Sequence, residues 1–96
     1  MTILYGTPDD PVGFRRYYTD THIPIARRMK GLTAWNLSWL EGGSYILVAE
    51  LYAASKAALD EILASPEGVA ASADLDNFVT GTVEFLTGPE EQVDLG

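Results

Sequence analysis

The chain has 96 residues, no cysteine, one histidine and a formal net charge of −8. That balance argues against nucleic acid or an anionic membrane surface as partner, since both need a basic face. Without cysteine there is no disulfide, thiolate chemistry or cysteine metal site, while 47% apolar residues suffice for a core.

The length predicts one domain, residues 1–96, with 89–96 as a polar tail. No basic-plus-apolar stretch opens the chain, and no apolar run approaches the ~20 residues of a membrane span. A cytoplasmic protein without membrane contact is expected.

In chain order, "TILYGT" (2–7) predicts a strand and "PDDP" a turn into a helix, capped by Asp9 or Asp10 with Pro11 in its first turn. Gly31 marks the stop of that helix, with Arg27, Arg28 and Lys30 near its end. "AWNLSWLE" (34–41) alternates: Trp35, Leu37 and Trp39 on one face, Asn36 and Ser38 on the other. Gly42-Gly43 predicts a hairpin into a return strand, "SYILVAELY" (44–52), apolar enough to be covered on both faces. A second helix (55–65) is capped by Ser55 and buries Ala58, Leu59, Ile62 and Leu63. Ser65-Pro66 ends it and starts a further short helical turn, and residues 79–88 form the last strand.

The order β-α-β-β-α-β predicts an α+β, ferredoxin-like fold, with helices on one face of a four-stranded antiparallel sheet. The strands read as apolar on both faces apart from isolated Asn36, Ser38 and Glu50. An uncovered apolar face of that size needs a partner, and the simplest is a second copy on a two-fold axis, giving a homodimer through the sheet faces.

On the first helix, Phe14, Tyr18, His22 and Met29 share the inward stripe, with Tyr17 beside it. Pro24 cannot donate to the Asp20 carbonyl and restricts Ile23, so a kink or restart is expected near His22, with space opening beside it. A lone inward histidine is ordinarily a satisfied core residue; beside a pocket it is also a candidate acid–base group. The aromatic residues divide in the same way between core and pocket wall. The five basic residues at 15, 16, 27, 28 and 30 read as solvated helix faces. Glu50 fits either a structural pair or a second acid in the pocket. No metal-ligand spacing and no phosphate-binding loop occurs.

The string "FRRYYTDTHIPIARRMKGL", preceded by "GTPDDPVG", resembles the signature of the EthD family, through Phe14, Tyr17, Tyr18, His22, Pro24, Ile25, Ala26, Gly31 and Leu32. "YILVAELY" and "SKAALDEILASPEG" extend the resemblance over most of the chain. It implies a dimeric α+β barrel, in a superfamily with cofactor-free monooxygenases, polyketide cyclases, lactone isomerases and some haem binders. For this chain it implies no cofactor, a small apolar or aromatic oxygenated ligand, and His22 with Tyr18 as catalytic residues. Phe14, Tyr17, Trp35, Trp39, Phe78 and Phe85 are the implied pocket walls. A non-catalytic binding or carrier protein for the same kind of ligand is the alternative.

Overall fold

The computed structural model describes residues 1–96. It comprises β1 (Thr2–Gly6), α1 (Pro11–Tyr17), a π-helical turn (Tyr18–His22), α2 (Ile23–Ala26), β2 (Ala34–Trp39), β3 (Tyr45–Tyr52), α3 (Lys56–Ala64), α4 (Pro66–Asp74), a 3-10 turn (Leu75–Asn77) and β4 (Val83–Leu86). The element order and the antiparallel sheet, β2-β3-β1-β4, are those of the ferredoxin-like α+β fold. No helix is long and apolar enough to cross a membrane.

Local chemistry sets the boundaries. Asp10 caps α1, its carboxylate accepting from the Gly13 N–H at 3.0 Å, with Pro11 in the first turn. Ser55 caps α3 by accepting from Ala58 N–H at 3.1 Å. Gly42 and Gly43 both have positive φ, 77° and 83°, as the tight hairpin turn requires. The helical run ends at Ala26 and not at Gly31; residues 27 and 28 continue as a turn, and Gly31 (φ 104°) redirects the chain toward β2. The expected short turn after Pro66 is a full nine-residue helix, and β4 is only four residues long.

Alternation along the paired strands divides the sheet into two faces. Ile3, Tyr5, Leu47, Ala49 and Leu51 are buried beneath the helices, with Trp35, Leu37, Trp39 and Val83 packed against them. Edge-on and tilted rings tie α1 to the sheet and to the segment after α4: Phe14 lies 5.6 Å from Tyr5 on β1 and 5.2 Å from Phe78.

The opposite face differs from the sequence expectation. Leu4, Val48 and Leu86 share it with Thr2, Asn36, Ser38, Glu50, Tyr52 and Glu84. The polar residues are gathered here, not scattered, because the period-two repeat puts them all on the side the helices leave uncovered. Two of the carboxylates are held by tyrosines, Tyr52 to Glu50 at 2.7 Å and Tyr45 to Glu84 at 3.1 Å. Glu50 therefore belongs to the open sheet face and not to the helix-side interior.

Candidate functional site

The helix restarts beside His22, α2 beginning at Ile23, but not because Pro24 drives Ile23 out of the α region. Ile23 keeps right-handed helical angles (φ −56°, ψ −49°), and the chain widens for one turn instead, the Ile23 N–H bonding the carbonyl of Tyr18 five residues back. The wide turn removes the need for a donor at position 24, where proline has none, and Pro24 then sits in the first turn of α2. Tyr18 and His22 bound this π turn, and both are buried against the sheet.

His22 is 5% exposed, and its Nδ1 lies 2.9 Å from Oδ2 of Asp74, itself 5% exposed, at the end of α4. The other Asp74 oxygen accepts from the Tyr17 hydroxyl at 2.7 Å and from the Asn77 side-chain amide at 3.0 Å. Burial raises the Asp74 carboxyl, but the hydrogen bonds from Asn77, Tyr17 and His22, with the His22 charge, outweigh it. The net effect holds the group below its ordinary value. The bond to Asp74 in turn raises the Tyr17 hydroxyl. The Asp74 carboxylate can accept a hydrogen bond only from an Nδ1–H, so whenever the imidazole carries a single proton in this pair, that proton is on Nδ1 and the free lone pair is on Nε2.

His22 forms part of the wall of a cavity of 340 Å³ between the helices and the sheet. Tyr5, Tyr18, Trp35, Leu51 and Phe85 also line it, and no charged side chain does. Burial raises the Tyr18 hydroxyl, and the neighbouring Trp35 and Tyr5 side chains bring it only part of the way back. Tyr5 is raised by burial too, then by Tyr18. Both phenols are therefore neutral donors at physiological pH. The indole N–H of Trp35 is buried and points toward the Tyr18 hydroxyl without completing a well-formed hydrogen bond to it.

The structure brings His22, Tyr18, Trp35 and Phe85 together around one space. Phe14, Tyr17 and Phe78 stand behind it. The Phe78 ring lies 5.0 Å from both the His22 and Tyr17 rings, walling off the far side of the imidazole. Trp39 does not line the cavity: its ring packs edge-on to Tyr18 at 5.6 Å and under the Arg15 guanidinium at 4.8 Å, in an outer cleft. Asp74 is absent from the sequence reading, though a signal existed. Gly68, Ala71, Asp74 and Phe78 recur at spacings of three and four and are all buried, which puts a carboxylate on an apolar stripe.

The arrangement supplies a carboxylate-oriented imidazole, an adjacent phenol donor and apolar walls, the components of proton transfer at carbon or at a phenol oxygen. No family model matches the chain. It is 38% identical, over 97% of its length and 95% of the other, to an uncharacterized 11.0 kDa protein of the thcB-thcC intergenic region of Rhodococcus erythropolis. Among solved structures it is similar to an ethyl tert-butyl ether D (EthD) family protein of Bacillus halodurans. The TM-score is 0.77 at 24% identity, over 90% of this chain and 95% of that one. It also resembles SnoaB, a cofactor-independent oxygenase of Streptomyces nogalater, with a TM-score of 0.65 at 16% identity over 97% and 94% of the two chains. The chain belongs to one family with the Rhodococcus protein and has the fold of the EthD family that its own motifs resemble.

Proposed function

We propose that the cavity binds a small, neutral, apolar or aromatic oxygenated molecule, and that His22 moves a proton on it without a cofactor. The observation that carries this reading is the Asp74–His22 hydrogen bond at the wall of an otherwise apolar cavity. Nε2 removes a proton from an acidic carbon or phenol of the ligand: the C–H or O–H bond breaks, the N–H forms, and charge develops on the ligand oxygen. Tyr18 donates a hydrogen bond to that oxygen. The imidazolium, paired with Asp74, returns the proton at the same or another atom, and the reaction is an isomerisation or the first step of a cyclisation or oxygenation. The oxygenase among the similar folds is in keeping with such chemistry.

The test uses a ketone whose proton loss can be watched directly. In D2O, 2-tetralone is expected to exchange its C1 protons faster with the protein than with His22→Ala, by about 10²-fold or more. Equal rates would remove His22 as a base; equal rates with retained binding would favour the carrier role.

The second copy expected from the sequence remains part of this proposal. Leu4, Val48 and Leu86, ringed by polar side chains, would form the centre of a two-fold interface on the open sheet face. Light scattering during gel filtration is expected to give twice the 10.4 kDa chain mass. Val48→Lys is expected to give monomers, because it buries an unpaired charge at that centre.

A further inference from the structure

We infer that the cavity is entered between α4 and the edge strand β4, and that the ring of Phe85 is its gate and the limit on what size of molecule passes. This rests on the reading of the cavity as a ligand site and adds to it the route and the selecting residue.

Of all the residues lining the cavity, only Ser72 and Phe85 are exposed. They stand on different elements, Ser72 on α4 and Phe85 on β4, so the cavity wall meets water at one residue of each of these two elements. Phe85 pairs with Ile3, which is buried on the helix side, so its side chain shares that side and lines the cavity. The residue is nonetheless 50% exposed. An aromatic residue that both lines an apolar cavity and meets water lies on its rim. β4 is one of the two edge strands, four residues long, paired only to β1. Its backbone is anchored on one side, while the ring has no neighbouring strand to confine it on the other. His22, by contrast, is almost fully buried in the same cavity. A molecule entering by this route passes Phe85 before it reaches Nε2.

The chemistry of the opening also defines what it admits. The rim offers one hydroxyl and one aromatic ring, and the interior offers apolar side chains with the imidazole, two phenols and the Trp35 indole N–H. No charged side chain lines the cavity, and the one charged group beside it, the Met1 ammonium, already donates to the Leu51 carbonyl at 2.7 Å; removing an ion from water without a partner is strongly unfavourable. A volume of 340 Å³ lies near the lower end of ligand cavities. The ligand class is therefore a neutral molecule of one or two rings carrying an oxygen group.

The probe is 1-naphthol, followed by its fluorescence in stopped flow, with the signals of the lone imidazole followed by NMR. Phe85→Ala is expected to speed dissociation by about tenfold or more and to admit 1-hydroxypyrene, which the wild type excludes. Ser72→Trp, a change at an exposed helix position, is expected to slow association and dissociation together by about fivefold, with little change in Kd. If 1-naphthol binds and shifts the His22 signals, yet both variants exchange it at wild-type rates, the gate is refuted and the ligand site stands. If 1-naphthol does not bind the wild type, or binds without moving the His22 signals, the ligand site itself fails.

Discussion

Replacing Asp74 by alanine is expected to lower the stability of the fold by about 3 kcal/mol, a melting-temperature loss of roughly 15 °C, and to free the His22 imidazole. The carboxylate is the shared acceptor of three side chains: His22, Tyr17 and Asn77. His22 is buried, so its Nδ1–H loses its partner where water does not readily replace it. An alanine also leaves a void between α4 and the π turn. Asn is the informative second variant, since it keeps the shape and removes the charge; it retains part of the stability but no longer fixes the tautomer. With only one histidine in the chain, its ¹⁵N imidazole spectrum reads the effect without ambiguity. The wild type is expected to show Nδ1 protonated and Nε2 bare, and Asp74→Ala to lose that preference.

The same residue gives a pH dependence of defined sign. The folded state holds the Asp74 carboxyl below its ordinary value of 3.8. The unfolded chain therefore binds this proton more readily, and acid favours unfolding. The contribution is fully present well above 3.8 and is lost progressively as pH falls below it through the folded value. Urea midpoints measured from pH 6 down to pH 3 are expected to fall more steeply for the wild type than for Asp74→Asn. Parallel curves would mean that the carboxylate carries no net stabilising charge.

How far the sequence revealed these features depends on the kind of constraint. Period-two alternation in 34–39 and paired glycines at 42 and 43 are local signals, and they set the strands, the hairpin and hence the topology. The inward direction of Tyr18 and His22 was equally local, because a helix stripe needs only its own spacing. Pro24 was legible as a disturbance but not as a π turn. Choosing between a kink and a wider turn depends on which arrangement keeps both Tyr18 and His22 packed on the sheet, a tertiary question. Asp74 lies 52 residues from His22, and nothing short of the packed α2–α4 pair joins them. The aromatic residues show the same limit. The sequence named eight aromatic or imidazole positions without telling wall from support. Register decides that: Trp35 pairs with Leu51 over the cavity, while Trp39, four residues along, pairs with Leu47 outside it.

Gly68→Ala is expected to destabilise the protein by about 3 kcal/mol and to abolish ligand binding, although alanine is the better helix former by about 1 kcal/mol. The reason is the join of α3 to α4 through one residue. Ser65 ends α3 and caps α4: its hydroxyl donates to the Ile62 carbonyl at 2.6 Å and accepts from the Gly68 N–H at 3.1 Å. That tight turn seats the first turn of α4 on the last turn of α3. A Cβ at position 68 would fall 2.3 Å from the Ile62 carbonyl oxygen and 2.6 Å from that of Leu63. Both are backbone atoms, so the helices must separate. Gly13 provides the contrast within the same chain. Its added Cβ would also meet an atom at 2.3 Å, but that atom is the Asp10 side-chain carboxylate, which can rotate away. Gly13→Ala should therefore cost no more than the cap, about 1 kcal/mol. The consequences of Gly68→Ala extend past stability, because Gly68 and Ala71 line the cavity and Asp74 lies at the end of the same helix. Moving α4 away from α3 shifts the carboxylate against His22. Two readings follow from one variant: a lowered urea midpoint, and loss of the Nδ1-protonated imidazole signature in protein that remains folded. A Gly68→Ala protein more stable than wild type would show that helix propensity outweighs the close approach, and that the cavity wall does not depend on it.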